Sequence, residues 1–158
     1  MKKIINPYDN ERNMCFGCSQ KNPAGLKMQF EESEDFLHAT WQPSEIYQGY
    51  TNVLHGGIIA ALLDEIGAWC ISVKIGTAGV TSEMKTRYLF PVYINKGIIT
   101  LKAEVVMQTR KSAAIKCYLY DGQSKLCAEA EAEYFIYPLE IAIKKFRYPG
   151  REAFYEKK

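Results

Sequence analysis

The stretch Gln48-Gly-Tyr-Thr-Asn-Val-Leu-His-Gly-Gly-Ile-Ile-Ala-Ala-Leu-Leu-Asp-Glu-Ile-Gly-Ala-Trp69 decides the fold of this chain. From Gly56 to about Lys74, the residues Ile58, Ile59, Leu62, Leu63, Ile66, Trp69, Cys70 and Val73 recur at helical spacing. The positions between them are mostly Ala and Gly, so the helix is apolar nearly all round. Such a helix is enclosed by other structure. Gly67 costs about 1 kcal/mol relative to Ala in a helix interior, and its expected return is close packing. One acidic pair, Asp64-Glu65, interrupts the apolar run. Burying a carboxylate there is costly unless it is paired or hydrogen-bonded, which marks Asp64 for chemistry.

The flanks read as strands. Leu26–Glu31 and Phe36–Gln42 alternate on either side of the polar turn Glu31-Glu-Ser-Glu-Asp35. After Gly76 and Gly79 come Val80–Phe90, Ile98–Thr109, Ser112–Asp121 and Lys125–Tyr137. In the last run Ala128, Ala130, Ala132 and Tyr134 alternate with Glu129, Glu131 and Glu133, giving one small inner face and one acidic outer face. Leu101, Ala103, Val105 and Met107 repeat the half-buried pattern, as do Ile115, Cys117 and Leu119. Short turns join antiparallel neighbours, so the expected architecture is α+β: a hairpin, one buried helix and a four-strand meander, with the sheet curved around the helix. Three segments follow: residues 1–25 as an N-terminal loop, 26–137 as the domain, and 138–158 as a basic C-terminal tail or docking segment.

Composition narrows the function. A net charge of +2 with scattered basic residues gives no reason to expect nucleic acid as partner. No apolar run is long enough for a membrane span, and the charged N-terminus does not read as a signal peptide. Five cysteines, an odd number lying partly in apolar segments, point to free thiols and a cytoplasmic location. Cys15-x-x-Cys18 lacks the helix start that a redox pair uses. A zinc site needs about four ligands, and the chain has two histidines. No metal and no cofactor are expected, and a packed loop is the default there.

His55-Gly56-Gly57 followed by Leu63-Asp64, with Thr81 through Tyr88-Leu-Phe-Pro91 and Cys15-Phe-Gly-Cys18 ahead of Asn22-Pro23-Ala-Gly25-Leu26, resembles the hotdog-fold acyl-CoA thioesterases of the phenylacetate-pathway type. The resemblance covers roughly residues 13–137. It implies hydrolysis of an acyl-CoA to free acid and CoA, with CoA entering only as part of the substrate. The Gly56 N–H would polarise the carbonyl at the helix N-terminus, where unsatisfied N–H groups and the dipole favour negative charge. Asp64 would act as general base or nucleophile, and Thr81 would orient the water. His55 would steady the loop or touch the thioester, beside Gly57. Relatives carry an amide six residues before the histidine; that position is Gly49 here, and Gln48 and Asn52 flank it as substitutes.

Gly56 and Asp64 are separated by about 12 Å of helix rise, too far to serve one carbonyl within one chain. A twofold homodimer, or a dimer of dimers, solves this. Glu65, turned about 100° away, reads as structural. Lys85, Arg87, Arg110 and Lys111 are candidate contacts for CoA phosphates. Trp41, Trp69, Met84, Tyr88 and Phe90 are candidates for the acyl pocket. The rival reading is a hotdog module that binds acyl-CoA without turnover.

Overall fold

The computed structural model describes residues 1–9 and 12–156. Helix α1 spans Gly56–Cys70 and buries Ile59, Leu62, Leu63, Ile66, Gly67, Trp69 and Cys70. Its last turn widens into a π-helical turn at Ile71–Ile75 and stops at Gly76, whose φ of 85° is left-handed backbone that glycine adopts freely. Among the described residues no helix is long and apolar enough to cross a membrane.

The strands are β1 Lys2–Ile4, β2 Gln29–Glu32, β3 Leu37–Trp41, β4 Gly79–Tyr88, β5 Ile99–Gln108, β6 Ser112–Tyr120 and β7 Leu126–Ile136. They form one seven-stranded sheet in the order β1-β2-β3-β5-β6-β7-β4, with antiparallel pairing throughout. One helix lies against the concave face, the hotdog arrangement expected from the sequence. Leu37, Ala39 and Trp41 of β3 point inward beside Ala103, Leu101 and Ile99 of β5. The Ala128, Ala130 and Ala132 ladder of β7 is buried as its alternation predicts.

Two expectations need correction. The four-strand meander is a three-strand meander, β5-β6-β7. Strand β4 instead closes the far edge beside β7, with Gly79 opposite Ile136 and Tyr88 opposite Ala128. The chain from Tyr88 to Ile99 does not turn back on itself. It crosses the end of the sheet, carrying Val92 into the core, where Leu54 N–H donates to the Val92 carbonyl at 2.9 Å. The second concerns Met107, expected on the inner face. The register of β5 against β6 shifts between Val105 and Met107, and Met107 is 57% exposed. The extra residue of a bulge turns the side chain outward.

The segments read as an N-terminal loop and a C-terminal tail both add structure. Strand β1 pairs with β2 at the sheet edge. Helix α2 spans Leu139–Phe146 and is followed by a 3-10 turn at Arg151–Phe154. Phe154 is fully buried, edge-on to Trp69 with centroids 5.5 Å apart, and its carbonyl accepts from Ile5 N–H at 2.9 Å. Glu32 anchors the same corner: it pairs with Lys74 at 2.9 Å and Arg151 at 3.2 Å and accepts from the Tyr155 hydroxyl. Phe154→Ala should therefore destabilise the protein by about 3–5 kcal/mol, read as a lower urea midpoint. An unchanged midpoint would mean that the C-terminal segment is not docked on the helix.

Candidate active site

The entry of α1 is built by its cap. His55 sits in extended backbone (φ −61°, ψ 134°), and its Nδ1 accepts from Gly57 N–H at 2.8 Å. A ring nitrogen that accepts is unprotonated, so the proton of the neutral ring lies on Nε2. The Gly57 N–H is thereby occupied, whereas the Gly56 N–H meets no acceptor among the described residues. Tyr88 closes the other side, donating its hydroxyl to the Gly56 carbonyl at 2.8 Å. What remains is one outward N–H at the positive end of an apolar helix.

Further along α1, Asp64 is half-buried rather than enclosed. Its Oδ1 accepts from the Thr81 hydroxyl at 2.7 Å and from the Tyr134 hydroxyl at 3.2 Å. Tyr134 also donates to the Asp64 carbonyl at 3.0 Å. Burial, then the nearby Asp64 charge, pushes the Tyr134 phenol well above its ordinary range, so it stays a donor. One carboxylate oxygen is clamped by two hydroxyls, and no hydrogen bond to Oδ2 is present among the described residues. Gly67 makes this possible: a Cβ there would fall 2.2 Å from the Tyr134 oxygen. Thr81, expected to orient water, thus holds Asp64 itself.

Glu65 faces a different flank and is the more deeply placed carboxyl. It accepts from Trp69 Nε1 at 3.0 Å and from the Cys15 thiol at 3.4 Å. Burial, followed by the negative charge at Cys15, pushes its pKa up to about 7.

Strand β4 runs antiparallel to α1 and touches both ends of the site, through Thr81 at Asp64 and Tyr88 at Gly56. Gln48 and Asn52 lie in the loop before the helix. The Asn52 amide is tied to Asn95 through both its atoms, at 3.0 and 3.1 Å, and Asn52 N–H donates to Gln48 Oε1 at 3.0 Å. Lys85 and Arg87 are exposed on β4, Arg87 3.6 Å from Glu129. Arg110 and Lys111 are exposed in the β5–β6 turn, close to the Thr81 end of the sheet through Ile136 N–H to the Lys111 carbonyl.

Of the aromatic pocket candidates, Trp41 and Trp69 belong to the core. Trp69 stacks on Phe30 at 4.1 Å, and Trp41 Nε1 donates to the Leu26 carbonyl at 2.7 Å. Tyr88 and Phe90 are exposed at the β4 end. The site residue absent from the sequence reading is Tyr134. The available signal was a lone aromatic ending an alanine ladder, in a chain whose buried helix carries one interior glycine.

Residues 51–128 match the model of the family described as "Thioesterase superfamily". Two curated relatives come from Saccharolobus solfataricus. "Putative esterase SSO1253" is 29% identical over 54% of this chain and 56% of its own length. "Putative esterase SSO2140" is 30% identical over 58% of this chain and 65% of its own. The chain thus spans between half and two thirds of the relatives it matches. Among solved structures, a thioesterase from Haemophilus influenzae aligns with a TM-score of 0.68 at 24% identity, covering 77% of this chain and 86% of that one. A hypothetical thioesterase protein from Streptococcus pneumoniae, crystallised with coenzyme A, aligns with a TM-score of 0.65 at 20% identity over 71% and 90%. These likenesses show the fold.

Gly67→Ala should displace the Tyr134 hydroxyl and lower stability by about 1–3 kcal/mol, measured by urea unfolding. Unchanged stability would mean that Tyr134 does not lie against the helix at this point.

Proposed function

We propose that this chain, whose residues 51–128 match the thioesterase superfamily model, hydrolyses acyl-CoA thioesters at a site shared by two copies. The observation that carries the reading is the clamped Asp64 carboxylate, held by Thr81 and Tyr134 with one oxygen left over. That arrangement suits a general base. Asp64 takes a proton from water as the oxygen adds to the thioester carbon. The carbonyl oxygen gathers negative charge and is met by the Gly56 N–H. The tetrahedral adduct collapses, the carbon–sulfur bond breaks, and the proton passes to the departing CoA sulfur. The products are a carboxylic acid and CoA, and the reaction draws on no metal.

The edge strand supports the two-chain arrangement. β4 is last in the sheet order and presents its outer edge unpaired among the described residues. Val80, Tyr88, Leu89 and Phe90 on and just beyond it are exposed apolar side chains. A long exposed edge is a template for another chain. Antiparallel pairing of β4 with its copy, centred near Met84, would set Thr81 of one chain against the partner's Arg87. It would carry Asp64 of one chain toward Gly56 of the partner subunit, and set Glu83 opposite the partner's Lys85, a favourable charge pair. A homodimer is the minimum; a dimer of dimers fits equally.

The coenzyme A bound to the Streptococcus pneumoniae protein supports CoA as the carrier. Structures of that protein also exist with an aspartate or a threonine replaced by alanine, and here an aspartate and a threonine share one hydrogen bond. Lys85, Arg87, Arg110 and Lys111 are the cations we assign to the CoA phosphates. With the Asn52 amide tied to Asn95 and Gln48 Oε1 accepting from the Asn52 N–H, the Gln48 Nε2 is the amide group we assign to orienting substrate. His55 serves as the cap that leaves Gly56 alone pointing outward.

Asp64→Asn should abolish thiol release from an acyl-CoA panel, a fall of at least about 100-fold, while size and melting temperature are kept. Wild-type turnover in that variant would refute the assignment. Acyl-CoA binding by the wild-type protein without any thiol release would favour the non-catalytic binding module.

A further inference from the structure

We propose that Cys15, Cys18 and Glu65 form a binding site for a divalent transition-metal ion of the zinc type. The sequence reading rejected a metal for want of ligands. Folding supplies one, because the helix brings Glu65 onto a loop 50 residues earlier in the chain. The two sulfurs and a Glu65 carboxylate oxygen all lie within 4.8 Å of one another. Cys15 Sγ and Glu65 Oε1 are 3.4 Å apart. Tetrahedral zinc, with Zn–S of about 2.3 Å and Zn–O of about 2.0 Å, sets sulfur and oxygen about 3.5 Å apart.

The site is built rather than accidental. Gly17, between the cysteines, leaves room for the approach: a Cβ there would meet the Glu65 side chain, which would have to move. The loop is held to the core by Leu26 N–H to the Phe16 carbonyl at 2.7 Å and Met28 N–H to the Gly17 carbonyl at 3.1 Å. Asn6 Nδ2 donates to the Cys18 carbonyl at 3.2 Å. Trp69 Nε1 fixes the Glu65 carboxyl at 3.0 Å, the kind of outer hydrogen bond that orients metal ligands.

Electrostatics points the same way. No ion pair found among the described residues involves Glu65, so its half-buried carboxyl has no positive charge to offset its own, and a cation placed there would supply one. A disulfide would use the two sulfurs and leave Glu65 without a cation, so the metal accounts for more of the geometry. These three residues line a cavity of about 570 Å³ together with Arg12, Trp69 and Ser72, from which a fourth ligand would come.

The metal would pin the N-terminal loop to the helix that carries Asp64, on a different flank from the hydrolytic site. The test uses the full chain, reduced, loaded with zinc and desalted. One zinc per chain by mass spectrometry, and a thiolate-to-cobalt charge-transfer band on cobalt substitution, are expected. Cys15→Ser and Cys18→Ser should lose both, Cys127→Ser should lose neither, and Glu65→Gln should weaken binding by about 10-fold or more. The proposal is overturned if the wild-type chain retains no metal against a micromolar chelator. It is equally overturned if uptake survives in both cysteine variants, or if reduced protein reverts to a Cys15–Cys18 disulfide in the presence of zinc.

Discussion

The Tyr134 hydroxyl, wedged under Gly67 and bonded to Asp64, is the contact on which the rest of this structure depends. It is where the buried helix meets the sheet and where packing becomes chemistry. The alanines of β7 lower the floor of the sheet so that the helix can approach. The single tyrosine at the end of that ladder then reaches up, and only a residue without a side chain leaves it room. Its hydroxyl accounts for one of the acceptors that a carboxylate on an apolar helix would otherwise leave unsatisfied. Thr81, from the next strand, supplies the second donor.

From that contact the geometry of the site follows. Strand β4 runs back along the helix with Thr81 at one end and Tyr88 at the other. It therefore fixes the carboxylate and the helix N-terminus to one rigid rail, separated by the length of two helical turns. A single thioester carbonyl does not span that distance, whereas a second copy of the rail, running antiparallel, brings opposite ends together. The unpaired β4 edge and the exposed Tyr88, Leu89 and Phe90 beside it are consistent with that use. The same helix anchors the N-terminal loop through Glu65 and the C-terminal segment through Trp69, so its flanks carry three separate contacts.

Much of this was legible in the chain itself. The helical spacing of Ile59, Leu62, Leu63 and Ile66 and the alternation of β7 are strong local signals, and they placed the helix and most strands to within a few residues. Asp64 stood out because a carboxylate in an apolar run needs a reason. What failed was non-local. The pairing of β4 with β7 rather than β5 depends on where the helix delivers the chain, which no period records. Strand β1 is too short to show a period at all. Tyr134 and Glu65 acquire their roles from residues 70 and 50 positions away, and Trp69, a plausible pocket residue in sequence, turned out to be core because Phe30 and Phe154 close over it.

The shared site is tested most directly by mixing two disabled chains. Gly56→Pro removes the N–H without disturbing the helix start. His55 already has the extended backbone favoured before proline, proline suits the first helical position, and the nearest atom to a Cβ there is the Tyr88 ring at 3.5 Å. Asp64→Asn removes the base. Each variant alone should be inactive. Reassembled together from equal amounts, half of the dimers are mixed and each has one intact site of two, so about a quarter of wild-type thiol release should return. No recovery from a mixture shown to contain mixed dimers would place both groups in one chain and contradict the account.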